Sequence, residues 1–137
     1  NLMPIMAYLA TPYTFQSKSK EIGMAKPDNS EQAREVEQQR YEIVTEVAAK
    51  LYQIGITPIS PITQAHPIRK DHGLEKSFDF WAEHDFNMIL RCDMVLVLMQ
   101  NGWQDSPGVQ QEIQFAKQNN IPVIYISYNG QQIILGE

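Results

Sequence analysis

Met94-Val95-Leu96-Val97-Leu98-Met99 is an unbroken apolar run, and a short loop separates it from Asp105-Ser106-Pro107-Gly108-Val109-Gln110-Gln111-Glu112. The first stretch lacks period-two alternation. It reads as a strand buried on both faces, the habit of a parallel sheet with helices on either side. The second stretch opens a helix that continues to about Asn119. Ser106 suits the N-cap and Pro107 the first helical position. Gly108 leaves room for a ligand near backbone N–H groups that still need acceptors. Glu112 lies roughly 6 Å further along the helix axis, so both residues can face one space. A strand, a small-residue turn, a helix start and an inward carboxylate suit a ribose or phosphate site with its own nucleophile.

Working outward, Pro4–Ala10 reads as the first strand and Thr11–Thr14 as a turn. Phe15–Asn29 is polar and reads as a long loop, mobile or a lid. A helix is expected over Ser30–Ile54, with the stripe Ala33, Val36, Arg40, Ile43, Val44, Val47, Leu51 and Ile54, and Gly55 as its stop. Ile56–Ser60 is a short strand whose Pro58 suits an edge. Pro61–Gly73 reads as a second long loop. A helix from Leu74 or Ser77 to Arg91 follows, then the buried strand and the helix already quoted. Pro122–Ser127 is a further strand, and Gln132–Leu135 reads as a short last one. This alternation predicts one α/β domain over residues 1–137: a doubly wound, flavodoxin/Rossmann-like three-layer sandwich with a parallel sheet of about four or five strands. Such sheets bind ligands at the carboxyl ends of the strands where strand order reverses. The loops expected there are Thr11–Thr14 and Gln100–Ser106.

The 137 residues are 43% apolar and 20% charged, ordinary for one globular domain. A net charge of -5 excludes a general binder of nucleic acid polymers, which needs a basic face. A small anion remains accessible to local N–H groups. The single cysteine, Cys92, cannot form an internal disulfide and reads as a buried thiol in a reducing cytoplasm. No apolar run approaches the roughly 20 residues that span a bilayer, so no membrane partner is expected. Asn1–Ala10 serves better as a strand than as a signal segment. His66, His72 and His84 lack metal-ligand spacing, and neither metal nor cofactor is expected.

Asp85 is the second informative residue. It falls on the stripe Phe78, Trp81, Ala82, Asp85, Met88, Ile89, Cys92, among apolar neighbours on the inward face. Burial disfavours an ionised carboxylate unless it is paired. A structural Asp that holds a loop backbone is one reading, and a catalytic acid or ligand-orienting group is the other. Glu112 borders the buried face set by Val109, Ile113 and Ala116. Two inward carboxylates beside one crevice can divide the labour of nucleophile and acid.

These residues carry a resemblance. Asp85 stands eight residues before Asp93, which starts the buried strand, and Ser106, Gly108, Val109 and Glu112 fit S-x-G-V-x-x-E. The chain thereby resembles the nucleoside 2-deoxyribosyltransferase superfamily, including its nucleoside 5'-monophosphate N-glycosidases, from Ile5 to about Ile126. The resemblance implies that Glu112 attacks the anomeric carbon of a nucleoside or nucleotide. It implies that Asp85 protonates or orients the base, and that Tyr8 hydrogen-bonds the nucleophile. Ser106 and the N–H groups near Gly108 would hold a 5'-phosphate or ribose hydroxyls. It also implies a homo-oligomer with a small-molecule partner. The chain departs from the N-glycosidases at Ala10-Thr11-Pro12-Tyr13, which lacks their serine- and glycine-rich stretch, and its loop Asn101–Asp105 is extended. It resembles a separate bacterial branch more than either of those enzyme types.

Thr11 and Pro12 in the first loop are candidate substrate contacts. Trp103 offers a face for a base or anchors its loop. Asp105 binds sugar hydroxyls or caps the turn. Arg40 reaches a phosphate, or snorkels or pairs. Lys18, Lys20 and Lys26 read as a solvated loop face. Two further functions stand beside glycosidic cleavage or transfer: a non-catalytic nucleotide sensor on the same scaffold, and a glycohydrolase acting on an NAD-type dinucleotide.

Overall fold

The computed structural model describes residues 3–15, 30–75 and 77–136. The elements run β1 (Ile5–Ala10), α1 (Glu31–Gln53), β2 (Ile56–Ile59), α2 (Pro61–His72), α3 (Phe78–Leu90), β3 (Met94–Leu98), α4 (Pro107–Gln118), β4 (Val123–Tyr128) and β5 (Ile133–Leu135). A 3-10 turn at Trp103–Asp105 leads into α4. The strands form one sheet in the order β2-β1-β3-β4-β5. β1 pairs in parallel with β2 on one side and β3 on the other, so the chain reverses its direction of travel between β1 and β3. That gap is the switch point where doubly wound sheets take ligands.

Alternation along the strands sorts the two layers of core. Ala7, Leu9, Leu96 and Leu98 face α1 and pack with Val44, Val47 and Leu51. Tyr8, Ala10, Val95 and Val97 face the other way, against Ile89 of α3 and Val109, Ile113 and Ala116 of α4. The expected three-layer α/β fold is the one observed.

Three expectations are corrected. The sheet is parallel only through β4, and β5 runs antiparallel to β4. The cause is connection length. A parallel return needs a crossover of about a dozen residues, whereas only Asn129–Gln132 lie between these strands. Asn129 accepts from the N–H groups of Gln131 and Gln132 and makes a hairpin turn instead.

Pro61–Gly73 is not a loop but helix α2, ended by Gly73 in the left-handed conformation. Pro61 suits the first helical position, and Arg69, Lys70 and His72 complement the dipole in the last turn. Pro67 lies inside the helix and costs it a backbone donor. Packing offsets the loss: Ile62 joins the core beneath α1, His66 stacks on Tyr41, and Thr63 bonds to Thr45. The third correction concerns α1. Ile43 and Ile54 of its expected stripe are exposed, and Glu37 takes a fully buried place. Of the long polar stretch read as Phe15–Asn29, residues 16–29 lie outside the described residues, and with them Lys18, Lys20 and Lys26.

Candidate active site

Tyr8, Asp85 and Glu112 come from β1, α3 and α4 and meet in the layer between the sheet and the last two helices. They are 1%, 8% and 6% exposed. Tyr8 Oη donates to Glu112 Oε2 at 2.7 Å. Local structure fixes each one. Strand alternation turns Tyr8 toward α4. The cap at Ser106, whose Oγ accepts from Val109 N at 3.3 Å, sets the start of α4 and so the direction of Glu112. Asp85 lies one turn before Ile89 on the buried stripe of α3.

Burial governs the electrostatics. Glu112 is held well above the ordinary carboxyl range, by desolvation first and then by the charge and hydrogen bonding of Asp85, while donation from Tyr8 works the other way. Desolvation also raises Asp85, against the pull of Glu112, Tyr8 and His84. Tyr8 is pushed well up by burial and by the two acids. Two interacting carboxyl groups in a dry site do not both ionise readily. Each keeps its proton to a higher pH than in water, the first loss leaves one proton shared between them, and the titration belongs to the pair. Asp85 Oδ1 is buried and lacks a hydrogen-bond partner among the described residues. A buried orphan acceptor is rare, and it presents unused capacity beside Glu112.

Other residues singled out from the sequence are placed differently. The room expected at Gly108 is filled by a side chain. A Cβ there would meet Phe78 Cδ1 at 2.9 Å, so the ring at the start of α3 lies directly on this turn. Trp103 is half-buried, packs on Tyr125 with ring centroids 5.6 Å apart, and anchors its loop. Asp105 is exposed, and the helix cap belongs to Ser106 rather than to it. Thr11 and Pro12 are both buried. Thr11 Oγ1 donates to Leu98 O and accepts from Gln100 Nε2, each at 3.0 Å, so it joins the loops after β1 and β3. Asp93 stands at the opposite end of β3. Its carboxylate accepts from Met6 N at 2.8 Å and its own N–H bonds Met6 O, so it locks β1 to β3.

A second polar cluster went unread in the sequence. Tyr13 Oη accepts from Arg69 Nε and Nη2 at 3.0 and 2.7 Å and lies 2.6 Å from His66 Nδ1. Its one proton therefore goes to Nδ1, which makes His66 the Nε2–H tautomer, with Gln38 Oε1 as acceptor at 2.9 Å. Burial first, then Arg69 and Lys70, keep His66 below its ordinary pKa. Glu37 accepts from Phe15 N and pairs with Arg69 at 3.5 Å. No local pattern marks it: Pro61–Gly73 reads as a loop around His66, and Glu37 stands among polar neighbours. The Tyr13 hydroxyl is saturated, so this cluster positions the loop after β1. A cleft of about 560 Å³ adjoins it between α1 and α2, where Arg34, Arg69 and Lys70 are balanced by Glu31, Glu35 and Glu37. Among the described residues, no three His, Cys, Asp or Glu side chains converge as a metal site. No helix among them is long and apolar enough to cross a membrane.

Fold and site together define a doubly wound α/β domain with a buried tyrosine and carboxyl pair beside its switch point. Residues 5–128 match the family described as Domain of unknown function (DUF1937), and the chain belongs to that family. No curated protein matches the chain.

Proposed function

We propose that this protein cleaves, or transfers across, the N-glycosidic bond of a nucleoside or nucleoside 5'-monophosphate. One observation carries the reading: Glu112 is buried beside a second acid and receives the Tyr8 hydroxyl at 2.7 Å. A carboxylate in a dry site, oriented by one strong donor, suits an electron-poor anomeric carbon. In the productive state the shared proton sits on Asp85 and Glu112 is ionised, which the Tyr8 bond favours. A Glu112 oxygen bonds the anomeric carbon as the C–N bond breaks. The electron pair leaves on the base nitrogen, which takes the Asp85 proton. Water, deprotonated by Asp85, then displaces Glu112 and releases the sugar, or a second base does so. The likeness to nucleoside 2-deoxyribosyltransferases, carried by Tyr8, Asp85, Ser106, Gly108 and Glu112, supports this chemistry and suggests a homo-oligomer.

The test is incubation with nucleosides and nucleoside monophosphates, with and without a free acceptor base, followed by chromatography of released or exchanged base. Product that disappears in Glu112→Ala is expected. Absence of product across the panel at high enzyme concentration defeats the proposal. A nucleotide sensor is the second reading, favoured by the altered loop after β1, where Thr11 is buried and spends its hydroxyl on Leu98 O and Gln100. It requires thermal stabilisation by a nucleotide that is recovered unchanged.

A further inference from the structure

Arg40 projects from α1 and is half-buried, yet it makes no ion pair within 4 Å among the described residues. Its Nη1 donates to Tyr13 O at 3.2 Å and Thr14 O at 3.1 Å, and its Nη2 donates to Asn101 O at 3.1 Å. The first two acceptors belong to the loop after β1. The third belongs to the loop after β3. These loops flank the switch point. One planar fork therefore spans the gap between them, which a lysine ammonium on a flexible stem does not reproduce.

Two further observations bear on the same contact. Gly102 has φ +92°, and a Cβ there would lie 3.2 Å from Arg40 Nη2, so the loop is shaped to admit the guanidinium. Deeper in the gap, Thr11 already ties the two loops through Leu98 O and Gln100. The loops are thus bridged twice, by buried Thr11 and by half-buried Arg40. All its acceptors are neutral carbonyls, so the contact fixes backbone rather than cancelling a charge.

We propose that Arg40 is a positioning residue that holds the loops Thr11–Thr14 and Gln100–Asp105 at the separation a ligand at the switch point requires. It touches none of Tyr8, Asp85 and Glu112, so it acts on binding rather than on bond cleavage. The clause about turnover rests on the reaction proposed above; the clause about the loops does not.

Hydrogen exchange measured by mass spectrometry on peptides covering residues 9–15 and 99–106 tests it, in wild type, Arg40→Met, Arg40→Lys and Arg40→Ala. Both loops are expected to exchange roughly tenfold faster in Arg40→Met, with β3 and α4 unchanged. Arg40→Lys should recover little of the protection. Millimolar guanidinium should restore protection to both loops of Arg40→Ala, whereas methylammonium should not. Faster exchange in only one loop, or full protection in Arg40→Lys, overturns the proposal. In steady-state assays KM should rise about tenfold with kcat within about twofold. A fall in kcat at constant KM, in protein whose circular dichroism shows it fully folded, also overturns it. If wild type turns over no nucleoside or nucleotide, the proposed reaction fails, while the exchange comparison still decides the role of Arg40.

Discussion

Glu112→Gln should make the protein more stable at neutral pH and flatten its dependence on pH. Native Glu112 holds its proton more tightly than the unfolded chain does, because burial and Asp85 raise its pKa well above 4.5. As pH rises through the unfolded value, the unfolded state releases that proton first. Stability is therefore full below about pH 4.5 and falls until the native group also ionises. The slope across that window is about 1.4 kcal/mol per pH unit for each proton held. Asp85 is raised in the same direction, so the wild-type slope approaches about twice that figure where both contribute. Glutamine removes one proton and keeps an oxygen to accept from Tyr8, so about half the slope should remain. In a domain of this size each kcal/mol moves the midpoint by about 4 °C. The assay is thermal unfolding of both proteins at half-unit steps from pH 4.5 to 8. The two curves should separate steadily as pH rises. Parallel curves, or a variant that loses ground above pH 5, would refute the claim that Glu112 is a buried acid with a raised pKa.

Tyr8→Phe removes the donor to Glu112 while keeping the ring that packs beneath α4. It should lower kcat roughly tenfold or more and move the acidic limb of the pH–rate profile upward, read by steady-state kinetics. Gly108→Ala forces a Cβ toward Phe78 and should destabilise by about 1–3 kcal/mol, with Phe78→Leu restoring much of the loss, measured by denaturant titration. Glu37→Ala strands part of the Tyr13–Arg69 network; a partly exposed Arg69 tempers the cost to about 2–3 kcal/mol in the same titration. Burial and Asp93 push the Cys92 thiol up to about 11, so native protein at pH 8 should react with iodoacetamide far more slowly than denatured protein, followed by mass spectrometry.

The elements legible in the sequence were those whose local and global preferences agree. Met94–Leu98 is apolar throughout because both faces are covered, and Ser106-Pro107 marks a helix start that no tertiary contact needs to enforce. Helix α2 was illegible for the opposite reason. Pro67 argues locally against a helix, and the docking of Ile62, Thr63 and His66 onto α1 offsets that cost. At the site, Asp85 was visible because a carboxylate interrupts an apolar stripe. Glu112 was visible through its spacing from a capped turn. Glu37 and Arg40 also lie on or beside the α1 stripe. Their partners Tyr13, Arg69 and Asn101 come from three separate segments, and no local pattern links them. Gly108 was legible as a place where only glycine fits, but not as to what crowds it. A ring from a distant helix start and a bound phosphate leave the same mark on the sequence.

The crowding at Gly108 bears on how a ligand could enter. Phe78 stacks edge-on against Phe86, which in turn stacks on Phe115 with centroids 4.2 Å apart, so the ring is fixed at its inner end. Asp85 lies one residue before Phe86 on the same helix. Val109 N is already bonded to Ser106 Oγ and Pro107 has no N–H, so a shift of Phe78 away from the α4 turn would uncover space at Gly108 and its own N–H. Phe78→Ala separates the two cases. If the ring merely fills a hole, the variant loses stability and binds nucleotides no better. If it gates the turn, the variant binds nucleoside monophosphates more tightly than wild type while nucleosides are unaffected, and calorimetric titration of both ligands decides between them.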